Sequence, residues 1–259
     1  MAVLAVRSDN LAVRFKADHS PVTEADQRSQ DIVIAGLKAM TPGIPIISEE
    51  QAVAPWEERR HWSRLWLVDP LDGTRGFVSG GDEFVINLAL VDGGRPVLGL
   101  ICHPVSGRVL VAYRREAETP HWQLLQSTVE GQLSVLEPPT DRGAGLQVLV
   151  GHRRGDRTLV GLPRALQRQQ PTLVAVGSAY KYLRMALGDG DFHQRTAPTC
   201  AWDTAAGQAL LEAAGGGLCD LTGKPLTYHG SASLLNPGFY AYGPRLRALA
   251  DAGALAVES

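Results

Sequence analysis

Asp69 and Asp72 stand three positions apart at the end of an apolar run, Leu65-Trp66-Leu67-Val68, with Pro70 between them and Gly73-Thr74 behind them. Such a run reads as a buried strand. A strand that delivers two carboxylates to its C-terminal end offers oxygen donors to a hard divalent cation such as Mg2+. Pro70 stiffens the turn, and Gly73 lets a ligand approach the backbone closely. A helix beginning near Thr74 would turn free N–H groups toward an anion such as phosphate. The same residues also spell a polar turn with two solvated acids, because Asp-Gly is a common turn signal.

Three further acids have the right chemistry. Glu49 ends an apolar stretch as Asp69 does, Asp203 follows Trp202 at a helix start, and Asp26 lies in the first turn of an early helix. A carboxylate is electrostatically favoured in a first turn, and an anion can also be held there. Singly, each has a plain structural account: Glu49 or Glu50 as a solvated strand end, Asp203 as a helix cap, Asp26 as half of a capping box. A cation-centred site needs no Ser, Cys or His nucleophile, and the seven histidines form no obvious triad.

The elements that must position these residues fall into two series. Thr23 caps a helix that runs through Ile32, Val33, Leu37 and Met40 until Thr41-Pro42-Gly43 stops it. Before it, residues 15–22 read as a strand or loop entering a turn. Residues 44–48 form a strand ending at Glu49, and 54–64 form a loop or short helix. Residues 84–91 and 97–102 make strands joined by the Asp92-Gly93-Gly94 hairpin turn. Strands at 109–113 and 122–125 complete a multi-stranded antiparallel sheet. Residues 136–143, with Pro138-Pro139, break the composition, and a boundary is placed there. Two subdomains are expected: 1–138, α+β with the Asp-Pro-Leu-Asp-Gly-Thr motif, and 139–259, α/β with the Trp-Asp-Thr-Ala-Ala-Gly motif. In the second, strands at 146–150, 172–176, 191–195, 217–221 and 239–242 alternate with helices at 156–167, 179–186 and 202–214, which favours an α/β layer.

The 259 residues are ample for such a core, and a formal net charge of -2 gives no global case for binding a nucleic-acid polymer. A bound metal could still attract small anions. Cys102, Cys200 and Cys219 are odd in number and far apart, so neither a zinc knuckle nor a disulfide framework is suggested. Arg7, Asp9 and Arg14 interrupt any signal-peptide pattern, and no run approaches transmembrane length. A cytoplasmic location is expected, with peripheral association at the inner face of the membrane left open.

The four acidic segments occur in a telling order: Thr23-Glu24-Ala25-Asp26, Ser48-Glu49-Glu50, Asp69-Pro70-Leu71-Asp72-Gly73-Thr74 and Trp202-Asp203-Thr204-Ala205-Ala206-Gly207. In this order the chain resembles the inositol-monophosphatase-like, lithium-sensitive phosphatases, and within them the bacterial 3′(2′),5′-bisphosphate nucleotidases of the CysQ type. Lys16-Ala17-Asp18, Gly177-Ser178 with Lys181, Pro198-Thr199, Gly223-Lys224-Pro225-Leu226 and Leu235-Asn236-Pro237-Gly238-Phe239 extend the likeness over nearly the whole chain. The resemblance implies a layered αβαβα sandwich. It implies that Glu49, Asp69, the Leu71 carbonyl, Asp72 and Asp203 bind two or three Mg2+ ions, with Li+ inhibitory. Glu49 and Thr74 would position and activate the attacking water, and Asp26 would support Thr74. Amides near Gly73 and Thr74 would hold phosphate oxygens. Ser178 and Lys181 lie where the family contacts nucleotide, and Arg195 is a second anion contact; a lysine suits phosphate as a point charge. The alternative for Lys181 is a solvated helix residue.

The implied reaction is Mg2+-dependent hydrolysis of adenosine 3′,5′-bisphosphate to AMP and phosphate, in sulfur assimilation, by a monomer or homodimer. Three departures touch the expectation: Gly76 stands where the nucleotidases usually carry an acid, Gly151-His152-Arg153-Arg154 replaces a Ser-Arg-Ser-His kind of stretch, and the segment before the first strand is shorter than the family's first helix. Other readings stay open. The same chemistry could act on an inositol phosphate or a sugar phosphate such as fructose 1,6-bisphosphate. The chain could be a decayed module that binds metal and nucleotide without turnover. An aspartyl phosphatase of the haloacid dehalogenase class would need Asp-x-Asp, and here the spacing is Asp-x-x-Asp.

Overall fold

A computed structural model describes residues 2–7, 13–16, 21–115, 121–128, 131–137, 145–152 and 161–256. A single turn, α1 (Ala2–Ala5), precedes a two-stranded ribbon of β1 (Val13–Phe15) and β2 (Pro21–Thr23). The expected strand or loop over 15–22 is thus partly this ribbon; 17–20 lie outside the described residues. Helix α2 (Glu24–Met40) starts as its sequence predicts: the Thr23 hydroxyl accepts from the Ala25 amide at 3.1 Å, and Asp26 accepts from the Thr23 amide at 2.7 Å.

Among the described residues, a seven-stranded sheet follows the order β3-β4-β5-β6-β7-β8-β9. Its strands are β3 (Ile46–Ser48), β4 (Arg64–Asp72), β5 (Val85–Asp92), β6 (Arg95–His103), β7 (Arg108–Arg115), β8 (His121–Thr128) and β9 (Ser134–Val135). The ladder is antiparallel except at its edge, where β3 runs parallel to β4. That corrects the expectation of a wholly antiparallel sheet: α3 (Trp56–Arg59) and its flanking loops carry the chain back between the two strands, as a parallel pair requires. A short helix, α4 (Thr74–Val78), follows β4.

The second sheet runs β11-β10-β12-β14-β13, built from β10 (Gln147–Val150), β11 (Thr172–Ala175), β12 (Phe192–Arg195), β13 (Gly217–Asp220) and β14 (Phe239–Tyr242). The helices among them are α5 (Arg164–Gln167), α6 (Tyr180–Ala186), α7 (Ala205–Ala213) and α8 (Arg247–Asp251). Ile34 and Leu37 of α2 pack on Trp66 and Val68, one face of the first sheet. The other face, through Leu65, Leu67, Ala89 and Val91, meets α6 and α7, which also cover Leu149, Leu218 and Ala241 of the second sheet. Leu166 of α5 and Leu249 of α8 close the far side. The layers therefore run α, β, α, β, α, as expected. Gly99 on β6 lets α7 sit close: a Cβ there would fall 2.6 Å from the Ala206 carbonyl oxygen.

Two helices differ from the sequence expectation. The one expected at 156–167 is described only as Arg164–Gln167, with Pro163 at its N-cap; residues 153–160 lie outside the described set. A proline cannot donate within a helix, so it starts this one rather than sitting inside it. The helix expected at 202–214 is split into a 3-10 turn, Ala201–Asp203, and α7. Thr204 breaks it, with φ -124° and ψ -29°. The boundary expected at 136–143 falls largely on residues outside the described set. Among the described residues no helix is long and apolar enough to cross a membrane.

Candidate functional site

The central acids are brought together by a fault in the β4–β5 ladder. Asp69 pairs with Asn87 and Asp72 with Val85, so three steps on β4 match two on β5. Residues three apart on a regular strand face opposite sides. The bulged residue restores a common face, which is why Asp-x-x-Asp can aim two carboxylates one way. Glu49 arrives because β3 pairs with β4 and the ladder continues one residue further, from the Glu49 amide to the Val68 carbonyl at 3.1 Å. Asp203 arrives from the 3-10 turn before α7, where its carboxylate accepts from the Cys200 amide at 2.8 Å. It is therefore not in the first turn of α7; it caps the turn ahead of it. Glu49, Asp69 and Asp203 each offer a ligand atom within 4.8 Å of the other two.

Burial and mutual repulsion dominate the electrostatics. Burial first, then Glu49, Asp72 and Asp203, hold the Asp69 carboxyl well above the usual carboxylate range. Burial and then Asp72 and Glu49 push Asp203 up to about 8, against the Cys200 amide. Asp72 is also raised by burial, and lowered in turn by the Ala179 amide it accepts from and by Lys181. Three carboxyls with raised proton affinity, Asp69, Asp72 and Asp203, gathered with Glu49 as hard oxygen donors, suit a hard divalent cation that can replace the protons.

Asp26 does two jobs. One oxygen closes the capping box; the other lies 3.0 Å from the Thr74 hydroxyl, which is also 3.0 Å from the Leu71 carbonyl. The hydroxyl has one proton for these two acceptors, so its lone pairs are available to accept from a third group. Gly73, at φ 98°, forms the N-cap of α4, a left-handed geometry that favours glycine.

Lys16 lies in the Lys16-Ala17-Asp18 stretch, but its part in the site has no local signal. Its ammonium donates to Glu49 at 2.7 Å and to Glu50 at 2.6 Å, bridging acids 33 and 34 residues away. Burial lowers its proton affinity, and the two carboxylates reverse this and raise it.

Beside the acids opens a cavity of about 870 Å³, lined by Gly73, Ser178, Lys181 and Arg195 together with Arg75, Glu83, His152 and His193. The loop at Gly177–Ala179 is pinned across the layers: Glu83 accepts from the Gly177 amide at 2.7 Å and Asp72 from the Ala179 amide. Between them Ser178 takes φ 47°, uncommon for a non-glycine residue. Lys181 is not a solvated helix residue. It is 6% exposed, and its ammonium donates to the Val176 and Ser178 carbonyls at 2.9 and 3.0 Å. Arg195 donates to the Ala197 carbonyl at 3.3 Å. His152 pairs with Glu83 at the rim. His193 donates through Nδ1 to the Leu149 carbonyl at 2.8 Å; burial and Lys181 push it down to about 3, so it stays neutral. Glu83, Asn87 and His193 carry no spacing that could have marked them in the sequence, since each acts through a neighbour distant in the chain.

Comparison with known proteins agrees with this fold. The model of the inositol monophosphatase family matches residues 2–251. The chain is 40% identical over 226 residues, 86% of each chain, to the 3′(2′),5′-bisphosphate nucleotidase CysQ of Escherichia coli strain K12. It is 32% identical over 231 residues, 88% of this chain and 83% of the other, to the protein of that name from Buchnera aphidicola. The crystal structure of CysQ from Bacteroides thetaiotaomicron superimposes with a TM-score of 0.72 at 29% identity, covering 94% of this chain and 92% of that one. With its layered fold, its acid cluster and a family match over almost its whole length, the chain belongs to the inositol monophosphatase family.

Proposed function

We propose that the chain is a Mg2+-dependent phosphomonoesterase that hydrolyses adenosine 3′,5′-bisphosphate to AMP and phosphate. The observation that carries the reading is the convergence of Glu49, Asp69 and Asp203 beside a cavity lined by Arg75, Lys181 and Arg195. The 40% identity to the E. coli nucleotidase supports the choice of substrate. Glu49, Asp69, the Leu71 carbonyl, Asp72 and Asp203 would hold two or three Mg2+ ions, with Li+ competing. Bound Mg2+ supplies Lewis-acid polarisation of phosphoryl oxygens and a lowered pKa for water.

The protein's own groups have separate tasks. Lys16 orients Glu49. Glu49 accepts a proton from the attacking water, and the Thr74 lone pairs, freed by donation toward Asp26 or Leu71, hold that water in place. The backbone at Gly73 and Thr74 receives the transferred phosphate. Water adds to phosphorus, the ester bond breaks, and the alcohol oxygen leaves with a proton. Arg195 and Arg75 face the phosphate that is not cleaved, with Lys181 as a fixed buried charge, and Ser178 contacts the nucleotide. Val148, Val150 and Leu162 give the same cavity an apolar wall for a base. In the cell this activity would clear the by-product of activated-sulfate reduction, in the cytoplasm.

The test is phosphate release from adenosine 3′,5′-bisphosphate with and without Mg2+, beside Asp72→Asn. Release by the wild type with metal, and by neither control, is expected. Faster turnover of an inositol or sugar phosphate would replace the substrate. Tight nucleotide binding without release would indicate a non-catalytic module. A phosphoenzyme trapped by acid quench would indicate an aspartyl phosphatase.

A further inference from the structure

One face of β5 is apolar apart from a single residue. Val85, Ala89 and Val91 pack into the central core, and Asn87 lies in line with them, 1% exposed. Asn87 is the ladder partner of Asp69. Residues directly opposite on antiparallel strands project to the same side of the sheet, so the amide shares the acids' side. Among the described residues, neither its Nδ2 nor its Oδ1 meets a protein group in hydrogen-bond geometry. A primary amide carries two donors and an acceptor, and leaving them unmet in the interior is costly.

We propose that Asn87 is a positioning residue of the acid cage: in the cation-loaded protein Nδ2 donates to the cage carboxylates on its side of the sheet, and Oδ1 accepts from a water hydrating the bound divalent cation. The orphaned oxygen then has its partner only in the loaded protein. Groups that orient a ligand in this way typically account for 10- to 100-fold in metal affinity. The proposal rests on the reading of the acids as a cation site and not on the identity of the substrate.

The test compares wild type with Asn87→Leu, which keeps the number and branching of the side-chain heavy atoms and removes both polar atoms. Thermal unfolding is followed in metal-free buffer and over a Mg2+ titration, the rise in melting temperature reporting affinity. Asn87→Leu is expected to bind Mg2+ about 10- to 100-fold more weakly, while its metal-free melting temperature is unchanged or higher, because the buried orphan is gone. Mg2+ affinity equal to wild type overturns the proposal, as does a lower metal-free melting temperature with affinity unchanged, which would mark a merely structural amide. If Asn87→Leu does not fold, Asn87→Ser is read by the same two measurements. A wild type insensitive to Mg2+ and Mn2+ would remove the cation reading itself, an outcome distinct from the failure of Asn87 alone.

Discussion

Glu49, Asp69, Asp72 and Asp203 are held by strand ends and turns whose amides bond to them or beside them. Arg75 and His152, by contrast, reach the neighbouring cavity from exposed positions, and Arg195 from a half-buried one. The difference follows from what each set must withstand. Like charges gathered in the interior repel and resist ionising, so their positions have to be imposed by backbone register. Cations meeting a soluble anion pay little desolvation at the rim and can adjust to it. Lys181 lies between the cases: it is buried like Asp69, but tied to carbonyls of the loop that walls the cavity.

Breaking the acid side should have the largest effect. Asp69→Asn should lower Mg2+-dependent turnover by about three orders of magnitude, since a metal supplies several kcal/mol and each ~1.4 kcal/mol is tenfold. The same change should leave metal-free stability equal or higher, because it removes one of the repelling buried charges; calorimetry beside the rate assay separates the two. If activity persists, the acids are not the catalytic centre.

The pH dependence of the metal-free protein sharpens the contrast. Asp203 is pushed up to about 8 and Asp69 is also raised, whereas in the unfolded chain such carboxyls ionise near pH ~4. The folded state therefore holds more protons between about pH 4 and 8, and its stability falls as pH rises through that window. Mg2+ takes the place of those protons, so the stabilisation it confers should grow over the same range. Thermal melts with and without Mg2+ would show two diverging curves; parallel curves would mean that the acids do not hold the ion.

The cation side should respond more weakly and more selectively. Arg195→Ala should raise KM for adenosine 3′,5′-bisphosphate about tenfold, the loss of roughly one charge-assisted contact, and change a 3′-monophosphate far less. Equal loss on both substrates would move Arg195 away from the second phosphate. His152→Ala should matter least. Its pair with Glu83 is at the exposed rim, where such pairs are worth about 0–1 kcal/mol, so turnover should shift by no more than about fivefold.

Much of this was legible in local residue order. The Asp-Pro-Leu-Asp-Gly-Thr segment announced a buried strand ending in acids, and Thr23 with Asp26 announced a helix start; both are local events governed by burial and capping. A helix running unbroken through Gly161 and Pro163 is not formed, since Pro163 starts the described helix Arg164–Gln167, and the break at Thr204 that separates Asp203 from α7 leaves no mark in composition. Lys16 could not be assigned, since its partners are brought near only by the β1–β2 ribbon and the edge pairing of β3. Lys181 read equally well as solvated or functional until its burial was known.

The order of residues by itself determined the donor chemistry, the helix caps, the hairpin turn at Gly93-Gly94 and the alternation of elements, because these depend on neighbours within a few positions. Tertiary structure alone decided that Asp69 and Asp72 share a face, that Glu49 and Asp203 join them, and that a cation-lined cavity opens alongside. Those outcomes depend on the register between strands and on layers packed from opposite ends of the chain, and a one-residue slip in either would have scattered the same side chains.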